Sequence, residues 1–245
     1  MTIWPWKSAA QAAIPAGIRV YAIGDIHGQA ALLDELLGMI ERDGMGRPET
    51  KVLVFIGDYV DRGTDSKGVI EQLVNLQADF TGHFLRGNHD QALLDFLANP
   101  NSFPIWKDYG AEETLASYGV ASPASDEEAA LRQTRDSLRK ALPAHHLRFF
   151  ETLKLSETIG DYFFAHAGVR PGTPLDRQEE RDLMWIRDEF LNSRSDFGKI
   201  IVHGHTPANA PVMRPNRIGI DTGAYLTGRL TALVLEGTRR RFLQT

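Results

Sequence analysis

Cysteine is absent from this chain. With no thiol, disulfides and thiolate-held zinc are excluded, and any metal must be held by His, Asp, Glu or Asn. The absence fits a cytoplasmic protein, although secreted proteins without cysteine exist. Long apolar runs are missing too, since no stretch approaches the roughly 20 residues a membrane-spanning helix needs. The opening MTIWPWKSAAQAAIPAG lacks a basic start followed by a long apolar stretch, so it reads as an arm ending at Pro15–Gly17 and not as a signal peptide. Positive charge is not in excess either: 27 Lys and Arg stand against 32 Asp and Glu, a net of −5. No nucleic-acid partner and no membrane partner are therefore expected.

What is present is an ordinary soluble composition, 42% hydrophobic and 24% charged over 245 residues, enough for one domain with a modest insertion. The first half alternates. RVYAI (19–23) reads as a strand, residues 29–43 carry the helical stripe Leu32, Leu33, Leu36, Leu37 and Ile40, and KVLVFI (51–56) is a second buried strand. Val69, Ile70, Leu73 and Val74 mark a second helix, GHFLRG (82–87) a third strand, and NHDQALLDFL the start of another helix. That spacing implies a parallel sheet with crossover helices.

Residues 99–150 break the rhythm and read as a helical insertion. Within it Ser125 and Glu128 suggest a capping box, with helical charge pairs Glu128/Arg132 and Asp136/Lys140. From 153 the chain is strand-rich, with one helix near 178–193. The expected fold is α/β, two packed central β-sheets flanked by helices, comprising an N-terminal arm (1–17) and one domain (18–245). Trp4 and Trp6 in the arm have three open readings: docking on the body, self-association, or a mobile segment. The RRR run at 239–241 reads as a charged edge strand.

Five strand-like runs end in glycine and metal-capable residues: IGDIHG (23–28), IGDYVDRG (56–63), RGNHD (86–90), AHAG (165–168) and VHGHTP (202–207). Functional groups in open α/β sheets gather beyond the carboxyl ends of the strands, so these turns should converge. In extended backbone, residues i and i+2 point the same way, which lets Asp25 and His27 grip one ion. A donor set of O and N without thiolate suits Mn, Fe or Zn. Two such ions about 3.5–4 Å apart would acidify a shared water and clamp a phosphoryl group. Each turn alone has a bland explanation as a charged turn or helix cap. Packing has no need of all of them in this order.

These motifs together resemble the signature of the metallophosphoesterases, and the D-R-G variant resembles their bacterial phosphoprotein phosphatase branch. The resemblance implies that Asp25 and His27 hold one metal, that Asp58 bridges, and that Asn88, His166 and His205 hold the second. It implies His89 as the general acid oriented by Asp61, and Arg62 and Arg187 as phosphate-binding residues. The planar guanidinium fork suits that last task. His203 is left open between a direct role and strand packing, and Arg187 between phosphate binding and a solvated helix face. His83, His145 and His146 fall outside every motif and read as ordinary histidines.

The implied function is hydrolysis of phosphoserine or phosphothreonine monoesters on a phosphoprotein or phosphopeptide. A dimetal-bound hydroxide would attack directly, with Mn as the expected ion. The alternative is a symmetrical bis(5'-nucleosyl)-tetraphosphate hydrolase. A nuclease of the wider superfamily is disfavoured by Pro207, where such enzymes carry a second histidine. A decayed, non-catalytic scaffold is disfavoured because no ligand position is lost.

Overall fold

The computed structural model describes residues 11–46, 50–79 and 82–245. β1 (Ile18–Ile23), α1 (Ala30–Gly44), β2 (Thr50–Phe55), α2 (Ser66–Asp79), β3 (Gly82–Phe84) and α3 (Asn88–Ala98) form the alternating first half. β1 pairs with β2 and β2 with β3, both in parallel. The insertion contributes α4 (Phe103–Lys107), α5 (Ala111–Ser117), α6 (Glu128–Ala141) and α7 (Ala144–Glu151). The remainder runs β4 (Ser156–Ile159), β5 (Tyr162–Ala165), α8 (Glu180–Trp185), α9 (Asp188–Leu191), β6 (Ile200–His203), β7 (Val212–Met213), β8 (Arg217–Gly219), α10 (Ala224–Thr227), β9 (Thr231–Glu236) and β10 (Arg239–Gln244). Two five-stranded sheets result, ordered β10-β9-β1-β2-β3 and β4-β5-β6-β8-β7. No helix among the described residues is long and apolar enough to cross a membrane.

The period-2 alternation of the strands sets the layers. Val20, Ala22, Val52 and Val54 face the second sheet and pack on Tyr162, Phe164, Ile200, Val202 and Ile218. Their neighbours Tyr21, Ile23, Leu53 and Phe55 face the other way, into a core closed by Leu33, Leu36, Val69, Leu93 and the insertion's Trp106 and Phe149. The outer face of the second sheet, Phe163, Ala165 and Ile201, is covered by Leu183, Ile186 and Phe190. Helices therefore lie outside a sheet-on-sheet centre, as expected. The RRR run begins β10, which is an edge strand.

Three local expectations change. α6 begins at Glu128 with no side-chain cap, so no capping box forms; the Ser125 hydroxyl instead accepts the Glu127 N–H at 3.3 Å in a short turn before the helix. Glu128 pairs with Arg132 as expected, but Asp136 bonds its neighbour Arg135 at 2.8 Å in place of Lys140. The helix near 178–193 is two short helices, because Ile186 and Arg187 leave helical geometry between α8 and α9. At the N-terminus, Ala12 and Ile14 are buried between the sheets, and Ile14 N–H donates to the Gly237 carbonyl. Trp4 and Trp6 lie outside the described residues.

Candidate active site

Because β1, β2 and β3 are parallel, and β5, β6 and β8 are parallel among themselves, the turns leaving them open on one edge of the sandwich. Asp25 and His27 leave β1, Asp58, Asp61 and Arg62 leave β2, and Asn88 and His89 open α3 after β3. His166 follows β5 and His205 follows β6. The six expected metal ligands are all buried, as are His89 and Asp61.

Five non-glycine residues among those described have positive φ: His27, Asp58, Asp61, Arg62 and His205. Every one is an expected site residue. Left-handed backbone costs a non-glycine residue of the order of 1–3 kcal/mol and persists where the surroundings enforce it. Two glycines make room for the carboxylates. A Cβ on Gly87 would run into Asp58 Oδ1, and one on Gly204 into Asp25 Oδ1. Asp90 then ties two of the turns together: its Oδ2 accepts the Asp58 and Gly87 N–H groups, each at 2.9 Å, and its Oδ1 accepts that of Tyr59 at 3.0 Å.

The donor atoms converge. His166 Nε2 stands 2.9 Å from Asn88 Oδ1, 3.2 Å from His205 Nδ1 and 3.3 Å from Asp58 Oδ2, and His205 Nδ1 is 2.8 Å from Asn88 Oδ1. On the other side of Asp58 Oδ2, His27 Nε2 lies at 3.6 Å and His89 Nε2 at 3.9 Å. Asp25 Oδ2 accepts the His205 N–H at 2.9 Å, while its Oδ1 is buried without a partner.

The groups present fit divalent cations. His27 Nδ1 and His166 Nδ1 face the carbonyls of Val60 (2.9 Å) and Ile56 (3.1 Å), which can only accept. Both Nδ1 atoms therefore donate, and the Nε2 atoms point into the cluster, the arrangement that outer hydrogen bonds impose on metal-ligating histidines. Charge tells the same story. Burial and the neighbouring Asp221 carboxylate hold Asp25 well above the usual carboxylate range. Burial opposes charge on His166 too, but Asp58 and Asp25 prevail and push it up to about 9. His205 is pushed down to about 2 by burial and by His166. Ions held here by Asp25, His27, Asp58, Asn88, His166 and His205 would supply an acidified water and a clamp for phosphoryl oxygens.

His89 faces the cleft with its Nδ1 2.8 Å from Asp61 Oδ2. Burial opposes its protonation, but the carboxylates of Asp58 and Asp61 outweigh it and raise the imidazole above its ordinary value. Arg62 and Arg187 are exposed and line the same cleft of 340 Å³. Arg187 Nε donates to His205 Nε2 at 3.1 Å. A neutral imidazole has one proton, so His205 accepting at Nε2 carries its proton on Nδ1. A larger cleft of 510 Å³ beside α1 holds no comparable constellation.

His203 is turned away from the cluster. Its Nδ1 bonds the Gly204 carbonyl, its Nε2 accepts from Arg217 at 3.2 Å and its ring packs on Phe190, so it belongs to the strand packing. The sequence reading missed Asp221, Tyr109, Trp185 and Tyr225, all in the cleft wall. For Asp221 a signal existed: IDTG repeats the pattern of a buried strand ending in an acid and a glycine. The three aromatics had none, since they come from separate loops and helices.

The family model described as calcineurin-like phosphoesterase matches residues 18–232. The chain belongs to that family. Its members work with two metals, in agreement with the paired donor clusters. Among similar proteins are the asymmetrical bis(5'-nucleosyl)-tetraphosphatases PrpE of Anoxybacillus flavithermus and Geobacillus thermodenitrificans, each 29% identical with 86% of this chain and 88% of the relative covered. A crystal structure of a candidate diadenosine tetraphosphatase superposes with a TM-score of 0.64 at 24% identity, covering 94% of this chain and 98% of that one. The cold-active protein tyrosine phosphatase of a psychrophilic Shewanella gives 0.60 at 18% identity, with coverages of 98% and 84%. A Saccharomyces cerevisiae protein serine/threonine phosphatase gives 0.55 at 18%, with 93% and 79%. At these identities the structural likenesses speak for the fold alone.

Proposed function

We propose that this protein is a manganese-dependent hydrolase of dinucleoside tetraphosphates, acting in the cytoplasm and cleaving the chain asymmetrically to a nucleoside triphosphate and a nucleoside monophosphate. The observation that carries the reading is the set of aromatic walls around the donor clusters. Tyr109 lies 5.1 Å from the His89 ring and pairs with Trp185 at 5.6 Å, and Trp185 reaches His205 at 6.1 Å. Tyr225 stands on another side, 5.2 Å from His27 and under the Arg62 guanidinium at 5.9 Å. Flat surfaces on both sides of a phosphate-binding centre suit a substrate with a nucleobase at each end, because every base offers a π-face to an aromatic ring. A phosphoserine side chain offers none.

In this reading water attacks one phosphorus, releasing a proton to solvent, while the bond to the bridging oxygen breaks, and His89, held by Asp61, delivers its proton to the departing phosphate oxygen. Arg62 and Arg187 bind the non-bridging oxygens. The reading keeps the dinucleotide alternative expected from sequence and changes its register from symmetrical to asymmetrical, following the names of the relatives. The decisive measurement compares kcat/KM in Mn²⁺ on diadenosine tetraphosphate and on a phosphoserine/phosphothreonine peptide, with the nucleotide products separated. Preference for the dinucleotide with ATP and AMP as products is expected. Two ADP would change the register, and preference for the peptide would overturn the substrate class.

A further inference from the structure

Two histidines that no motif claims meet an acid on the far side of the insertion. Pro143 precedes α7, so His145 and His146 occupy its first turn, and α7 packs against α2, which carries Glu71. His146 Nε2 is 2.9 Å from Glu71 Oε2 and His145 Nε2 is 3.2 Å from the same oxygen. One donor atom from each of the three residues lies within 4.8 Å of the others. Ligands around a tetrahedral ion with bonds near 2.0–2.1 Å stand about 3.3 Å apart, so the existing positions need only small adjustments.

The outer partners are in place as well. His146 is fully buried and its Nδ1 lies 2.9 Å from the Tyr118 hydroxyl, which fixes the ring with Nε2 turned toward Glu71. Burial lowers the His146 pKa below its ordinary value, favouring the neutral form that binds metals. Glu71 and His145 keep 49% and 43% of their side-chain surface exposed, so an ion can enter from solvent.

We propose that Glu71, His145 and His146 form a further divalent-metal site, separate from the catalytic pair, for an ion of the zinc class with water in the remaining positions. Two imidazoles and one carboxylate select such ions over Mg²⁺ or Ca²⁺. The ion would pin the insertion's last helix to α2, whose first residue, Ser66, accepts the Asp61 N–H at 3.2 Å. Its place is therefore structural, joining two helices outside the catalytic cleft.

The test is isothermal titration of metal-stripped, tag-free full-length protein with Zn²⁺, comparing wild type with Glu71→Gln/His145→Gln. Both substituted side chains are about half exposed, and unchanged Mn²⁺-dependent turnover verifies the variant's fold. The wild type should take one more equivalent than the variant, or bind that equivalent at least tenfold more tightly. Equal counts and affinities overturn the site. Because the readout is the difference between two proteins sharing one catalytic centre, it stands whatever that centre binds.

Discussion

His89 and Asp61 form a buried pair in which one imidazole nitrogen is held at 2.8 Å by a carboxylate, leaving the other toward the cleft. Asp61 also accepts from Trp106 Nε1 at 3.0 Å and Thr114 Oγ1 at 2.6 Å. Both donors belong to the insertion, which thus reaches the proposed general acid through one carboxylate. Replacing His89 by Asn should lower kcat by about 10²–10⁴ on a phosphomonoester, whose alkoxide leaving group needs the proton. On a tetraphosphate the loss should sit at the low end, since a phosphate leaving group is a much weaker base. Metal content should hold in both cases. Equal, small losses on both substrates would remove His89 as the acid.

Asp61→Asn tests the orienting role through pH. Asp61 helps raise the His89 pKa, and a general acid works only when protonated. Activity therefore falls as pH rises through that pKa, and losing the carboxylate should shift this alkaline limb to lower pH. A profile that only scales down, with its limb unmoved, would reduce Asp61 to packing.

Gly204 gives a steric prediction. Its missing Cβ leaves the space taken by Asp25 Oδ1, and both residues are buried. Gly204→Ala should displace the carboxylate and weaken metal binding by at least tenfold, while far-ultraviolet circular dichroism stays native. A variant with unchanged metal affinity would show that Asp25 is no ligand.

Much of this was legible in the sequence because strand ends are written locally: a buried run, a glycine, then acids and histidines. The expected ligands, His89 and Asp61 all lie in such turns, and the parallel order of the strands in each sheet brings those turns to one edge. The Glu71/His145/His146 cluster was not legible, since its halves lie over 70 positions apart and meet only through the α2–α7 packing. The aromatic walls failed for the same reason. The capping box at Ser125 failed differently, because its pattern is real but the backbone used the hydroxyl one residue early.

Metal loading should release a proton. Without ions His166 is pushed up to about 9, its burial outweighed by Asp58, so it is charged at pH 7.5. Ligation needs the neutral imidazole, so one proton must leave, and affinity should rise with pH until about 9. Calorimetric titration with Mn²⁺ in two buffers of different ionisation enthalpy measures the release directly. Heats that are identical in the two buffers would mean that His166 does not bind as a ligand.

Asp43 carries the last prediction, far from the site. It accepts the Tyr21 hydroxyl at 2.7 Å, pairs with Arg241 and stands 3.7 Å from the buried Arg19. Partial burial opposes its charge, but the Arg241 and Tyr21 hydrogen bonds and the arginine charges win and hold the carboxyl below its ordinary value. A depressed carboxyl stabilises the fold above its unfolded pKa near 3.9, and that contribution is lost as pH falls through the folded-state value. Arg241 is 40% exposed, so solvent screening keeps the contribution to about 1 kcal/mol. Asp43→Asn should therefore lower stability by roughly that amount at pH 7. Urea denaturation across pH should then show the two proteins converging in acid, as the wild type loses what the variant never had. A gap that persists at the lowest pH would trace the loss to packing and not to charge.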